Sequence, residues 1–157
     1  MKRSPAASSC ESNDRQTLLT RVTAAPELKV VLNEAIIRRP VGGAEVMAAQ
    51  LKRLLDASDL PNMALCIMPF STGLHHGIMS GPFVILRFPL NGDGKATEPP
   101  TVYVDGFTGA LYLDKPAEID RYTMAFTDIW SAALSEGASQ EGSMLASVLA
   151  VVAGLFA

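Results

Sequence analysis

The chain has 157 residues, of which 48% are hydrophobic, 18% charged and 6% aromatic. This length suits one domain, and the apolar content excludes disorder of the whole chain. The net charge is −3 and no dense basic cluster is present, which argues against nucleic-acid binding by this chain alone, because such proteins neutralise several phosphates with a basic face.

The first 14 residues are rich in Ser, Ala and charge, which predicts a disordered leader and a single domain over residues 15–157. A short helix is expected at 15–21, and a β-branched run at 28–32 predicts the first strand. Apolar residues three and four apart predict a helix over 44–57, and a continuous apolar run predicts a strand over 63–68.

Residues 70–82 are punctuated by glycine and carry both histidines, which is typical of a functional loop. A strand is expected over 83–88, a turn over 91–94, and a hairpin with strands at 101–104 and 110–113. Asp114 is a suitable N-cap for a long helix that ends at Gly137. The apolar face of that helix comprises Ile119, Tyr122, Phe126, Ile129, Trp130 and Ala133.

These elements predict an α+β fold: a single small domain with a mostly antiparallel sheet of about five strands, packed by helices. The segment 143–157 is almost wholly apolar and is expected to form a C-terminal helix. A helix that is apolar on all sides has to be buried, either against its own sheet or between two copies. We therefore expect a homodimer.

The cysteine content and the termini bear on location. Cys10 and Cys66 are too few for a disulfide framework and suit a reducing compartment, and Cys66 is interpreted as an inert buried thiol. The charged start lacks the apolar region of a signal peptide, and no stretch reaches the roughly 18 apolar residues of a membrane span. We expect a cytoplasmic protein that makes no contact with a membrane.

Six stretches occur in an order that resembles one family: VLNEAIIRRPVGG at 31–43, MAAQL at 47–51, MPFSTGLH at 68–75, GPF at 81–83, VYVD at 102–105 and GALYLD at 109–114. They resemble the actinobacterial domain of unknown function 5753. The resemblance implies a sensing domain, which in that family follows an Xre-type helix-turn-helix in antitoxin-like regulators. It covers about residues 15–139 of this chain.

The departures from the family pattern carry their own expectations. Only a short polar leader precedes the matching part, so the resemblance implies a stand-alone sensing domain without the DNA-reading half. At His76 the family more often has Pro or a small residue, which makes the doubled histidine unusual. The resemblance brings no agreed catalytic residues.

The residues themselves suggest proton transfer. His75 and His76 are the only histidines and lie between two glycines, and imidazole exchanges protons near neutral pH. Strand alternation places Tyr103 on the same face as Asp105. We therefore predict His75, His76 and Tyr103 as catalytic residues. The predicted binding residues are Tyr112, Asp105, Met79 and Phe83.

No cofactor is expected, because the chain has no phosphate-binding loop, and no metal, because adjacent histidines make a poor ligand pair. Purely structural roles remain alternatives for each of these residue types. A loop histidine often bonds to backbone, the tyrosines often fill a core edge, and Arg38 and Arg39 suit a solvated or carboxylate-paired corner.

Two functional hypotheses follow. The favoured one is an enzyme of secondary-metabolite biosynthesis that binds a small apolar, polyketide-like metabolite and performs cofactor-free dehydration, conjugate addition, isomerisation or cyclisation. The alternative is a non-catalytic antitoxin-like or effector-binding domain that regulates through a protein partner.

Overall fold

The computed structural model describes residues 18–21 and 23–137, with side chains through residue 133. The predicted leader, most of the predicted helix at 15–21 and the predicted apolar helix at 143–157 lie outside the described residues.

The described chain contains five strands and four α-helices. The strands are β1 (Leu28–Asn33), β2 (Met63–Met68), β3 (Phe83–Leu86), β4 (Thr101–Gly106) and β5 (Gly109–Leu113). The helices are α1 (Glu34–Arg38), α2 (Ala44–Ser58), α3 (His76–Ser80) and α4 (Pro116–Gly137), with a 3₁₀ turn at Phe70–Thr72.

The first sheet consists of β1 and β2, which run parallel with Val31 opposite Cys66. The connection between them contains α1 and α2, long enough for the crossover that a parallel pair requires. Ile37 of α1 and Met47 and Leu51 of α2 form one buried cluster, against which Ile67 of β2 packs. One face of the first sheet is thereby covered.

The second sheet is antiparallel in the order β3-β4-β5. Helix α4 packs against both sheets, and its residues Ile129 and Ala133 form a buried cluster with Met68 of β2. Val31 and Phe83, one from each sheet, pack against the same cluster. The long apolar face of α4 is therefore the common support of the two sheets.

The structure differs from the expected sheet in its connectivity. Five strands were predicted and five are present, but they form two sheets, and the first is a parallel pair. Sequence reasoning detected the strands from local composition, whereas pairing direction depends on partners distant in the chain. Helices α1 and α3 were not predicted, and β3 ends at Leu86 instead of residue 88.

Within residues 18–21 and 23–137, no helix is long and apolar enough to cross a membrane.

Candidate functional site

In the histidine-bearing segment, His75 is the N-cap residue that directly precedes α3. Its backbone is extended, and its Nδ1 atom accepts a hydrogen bond from the N–H of Gly77 at 3.1 Å. The first N–H groups of a helix lack partners within the helix, so a side-chain acceptor at this position stabilises the helix start. The ring of His75 is therefore engaged as an N-cap.

Gly77 brings α3 close to α4. A Cβ atom built on Gly77 would lie 2.9 Å from the His75 ring and 3.2 Å from Cδ1 of Ile129. The separation from His75 is too short for a real side chain, and the separation from Ile129 on α4 is tighter than most real contacts, so the absence of Cβ permits both. This close approach is the first tie between the two helices.

His76 provides the second tie. Its Nδ1 atom lies 2.8 Å from Oδ2 of Asp128 on α4, with the two side chains 63% and 57% exposed. Contacts of this exposed kind contribute about 0–1 kcal/mol to stability. The His76–Asp128 contact is therefore a weak tie between α3 and α4.

Glu34 holds the beginning of the same segment. Its Oε2 atom accepts a hydrogen bond from the backbone N–H of Phe70 at 2.8 Å, and Arg38 donates to its Oε1 atom. The hydrogen bond from Phe70 lowers the pKa of the Glu34 carboxyl, and Arg38 lowers it further, against the opposing effect of burial. Arg38 is thus part of a carboxylate-paired corner, as one interpretation of the sequence held.

Four apolar side chains of this fixed segment point into solvent. The exposed fraction is 60% for Phe70, 93% for Leu74, 56% for Ile78 and 89% for Met79. We call these four residues the 70–79 surface. The four side chains lie within ten residues of the chain, and exposed apolar groups that cluster commonly mark interaction sites.

The predicted phenols lie elsewhere. Tyr103 and Tyr112 are opposite each other on β4 and β5, with ring centroids 5.2 Å apart. Phe83, whose ring centroid lies 4.9 Å from that of Tyr122 on α4, occupies the alternate face. Strand alternation therefore turns Tyr103 and Tyr112 away from α4.

The structure thus brings together some predicted site residues and separates others. The histidine segment contacts α4 through His76 and Gly77, whereas the two tyrosines share the face of the second sheet that is turned away from α4. Asp105 is exposed on the tyrosine face, Met79 belongs to the 70–79 surface, and Phe83 packs on the α4 side. Among the described residues, the two imidazoles and the two phenols therefore lie on different sides of the second sheet.

One shallow cavity of about 90 Å³ lies at the start of β1 and β2. It is lined by Glu27, Leu28, Lys29, Pro61, Asn62, Met63 and Ala64, and includes none of the predicted site residues. Pockets for small molecules typically enclose about 300–1,000 Å³. In the part of the chain that the structure describes, no group of three or more His, Cys, Asp or Glu side chains could hold a metal ion.

The family assignment rests on a direct comparison. The family model described as Domain of unknown function (DUF5753) matches residues 7–141. The chain belongs to this family. No curated protein and no solved structure shows a significant match to the chain.

Three residues of this DUF5753 domain that matter at the site were not predicted from sequence: Glu34, Leu74 and Asp128. Glu34 had a detectable signal, since it stands four residues before Arg38 on one helix. Asp128 had none, because its partner His76 is distant in the chain. The exposure of Leu74 depends on how α3 packs, which local patterns do not report.

Cys66 of the DUF5753 domain is partly buried against the cluster of Met68 and Ile129. Burial raises the pKa of the Cys66 thiol, which disfavours the reactive thiolate. This supports the interpretation of Cys66 as an inert packing residue.

Proposed function

We propose that this DUF5753 domain is a non-catalytic binding domain that acts through a protein partner docked on the 70–79 surface. The observation that carries the proposal is the outward exposure of Leu74 and Met79 on a segment that contacts both α1 and α4. Glu34 holds the backbone of Phe70, and His76 contacts Asp128 on α4. A fixed segment loses little conformational freedom on binding, which favours affinity.

The chemistry of the surface indicates the kind of partner. Two carboxylates beside it already have partners within the chain: Glu34 pairs with Arg38, and Asp128 contacts the His76 ring. These carboxylates are therefore less available to a partner, while the apolar side chains of the surface are exposed. We infer that the partner presents an apolar ridge, such as one face of an amphipathic helix.

Burial of the exposed side chains would contribute favourably to binding. Full burial of one Leu or Met side chain contributes about 1.5–3 kcal/mol. Leu74 and Met79 are almost completely exposed, so each has most of that contribution available. Methionine is also pliable and adapts to irregular surfaces. These two residues are the expected centre of the interface.

The acid–base hypothesis stays an alternative proposal. It requires His75 or His76 to face Tyr103 across a substrate, yet the histidine segment contacts α4 and Tyr103 lies on the face turned away from that helix. It predicts that replacement of His75, His76 or Tyr103 abolishes turnover of an apolar metabolite. A binding domain instead tolerates changes at His76 that preserve the fold.

Three further expectations belong to the proposal. A homodimer is supported by the extent of exposed apolar surface, and a cytoplasmic location by the reduced-thiol interpretation of the cysteines. Binding of a small apolar metabolite is a weaker proposal, because the one cavity described above is small.

The proposal is tested with a Leu74→Ser, Met79→Ser double variant and a matched control, Leu90→Ser. Leu90 is 68% exposed and lies outside the 70–79 surface. Each protein is immobilised and exposed to lysate of its native host, and any protein retained is purified and titrated calorimetrically. We expect retention by the wild type and by Leu90→Ser, with at least about tenfold weaker binding to the double variant.

A retained protein that binds all three forms equally would overturn the assignment of this surface. A host lysate from which neither the wild type nor the control selects a stoichiometric binder would overturn the partner-binding function itself.

A further inference from the structure

Strand β5 has one unpaired side. Among the described strands, β5 pairs with β4 alone, so the alternate backbone N–H and C=O groups along its other edge point outward. The residues from Gly109 to Tyr112 are all exposed, and only Leu113 is half-buried. An open edge of this kind is a ready template for another strand.

The sequence of this edge carries none of the usual protection. Proteins commonly shield such edges with charged residues, Pro or bulges. The strand reads GALYL and contains no charge and no Pro, and its pairing with β4 runs without interruption. In contrast, β1 carries an exposed Lys29. Within Gly109–Leu113, no charge, proline or bulge hinders pairing of this edge with another strand.

The strand is also apolar and exposed on both faces. Leu111 is 59% exposed and lies on the same face as Phe83, which is the α4 side. Tyr112 is 70% exposed on the opposite face, and Phe107 at the adjoining turn is fully exposed. A layer packed on one face would not cover all three side chains, whereas a neighbouring strand would approach both faces.

We propose that two copies of this chain associate through antiparallel pairing of their β5 strands, about a two-fold axis at Leu111. Each Leu111 then lies opposite its counterpart, and Ala110 lies opposite Tyr112 of the second copy. The two three-stranded sheets become one sheet of six strands. The interface is isologous, which means that the same surface of each copy faces its counterpart. Because the strand is uncharged, the pairing brings no like charges together.

The size of this contact indicates a reversible dimer. Aromatic side chains bury about 150–250 Å² each, so Phe107 and Tyr112 together supply at most on the order of 300–500 Å² per copy, to which Leu111 adds. Specific interfaces begin at about 600 Å² per partner. The backbone edges that pair add to the side-chain area and bring the total close to this value. The homodimer expected from the sequence thereby gains a defined surface, separate from the 70–79 surface.

The test uses charge reversal at the proposed axis. Sedimentation velocity is measured on the full chain and on Leu111→Lys and Leu111→Glu, alone and mixed in equal amounts. We expect the wild type to dimerise and each variant alone to weaken dimerisation at least about tenfold, because like charges then lie directly opposite. The mixture should dimerise again. Circular dichroism and a thermal melt check that both variants are folded.

Register is tested by Leu111→Cys and Ala110→Cys in a chain with Cys10 and Cys66 replaced by Ser. Mild oxidation should link two copies through position 111 and not through position 110. A monomeric wild type at about 100 µM, or a dimer that survives Leu111→Lys, overturns the proposal. If both charge variants are unfolded, the pattern of disulfide formation decides the question. Binding of a partner by the 70–79 surface is unaffected by either result, so the two proposals fail separately.

Discussion

At the scale of single residues, Glu34 connects helix α1 to the start of the segment that carries the 70–79 surface. Its carboxylate accepts from the N–H of Phe70 and pairs with Arg38, and its side chain is only 15% exposed. Because the folded-state pKa of Glu34 is lowered, its contribution to stability is fully present above the ordinary glutamate pKa. That contribution is lost as the pH falls through the lowered folded value.

Replacement of Glu34 should separate the hydrogen bond from the charge. We expect Glu34→Ala to lower the free energy of unfolding at pH 7 by about 1.5–3 kcal/mol, because the N–H of Phe70 loses a charged acceptor. Glu34→Gln keeps a neutral acceptor and should cost less. Urea unfolding across the acid range should show the wild type approaching Glu34→Gln below the folded pKa of Glu34. A constant difference between these two proteins at all pH values would contradict this account.

His75 is assigned a structural role by the bond from the Gly77 N–H to its Nδ1 atom. We expect His75→Ala to cost about 1 kcal/mol of stability through the loss of a helix cap, whereas His75→Asn retains an acceptor and should be close to wild type. Chemical denaturation of both variants measures this. Equal destabilisation by Ala and Asn would remove the cap from the explanation.

At the scale of elements, the join between α3 and α4 determines where the 70–79 surface lies. Gly77→Ala should destabilise the chain by about 1–3 kcal/mol, because the added methyl group meets the His75 ring and Ile129. Gly92→Ala is the matched control, since nothing lies within 4 Å of the corresponding Cβ. Thermal melts compare the two. A Gly77→Ala protein as stable as the control would show that the helices are not closely joined.

The elements show what local patterns can and cannot predict. Helices α2 and α4 have long apolar stripes, so their extents followed closely from sequence, and the β4–β5 hairpin followed from its turn. Helix α3 has five residues and a histidine cap, which is too short for a periodic signal and lacks a common capping residue. The division into two sheets depends on non-local pairing.

The candidate site was predictable only in part for the same reason. The segment that carries His75, His76 and Met79 was singled out by its glycines and histidines, and it does bear the 70–79 surface. The expected approach of Tyr103 to the histidines required knowledge of which face of β4 meets α4. That information resides in the contact of Phe83 with Tyr122.

At the scale of the whole molecule, two apolar surfaces remain open for different occupants. The 70–79 surface lies on a segment fixed to α4, and the β5 edge lies at the side of the second sheet. We propose partner binding for the first surface and self-association for the second.

The central claim is that the 70–79 surface contacts a protein partner, and site-specific photocrosslinking in the native host tests it most directly. A photoreactive amino acid at position 79 is compared with one at position 90, where an apolar side chain is also exposed. We predict one dominant crosslinked protein from position 79 that is missing from position 90. No crosslinked protein at position 79, or the same products from both positions, would contradict the account.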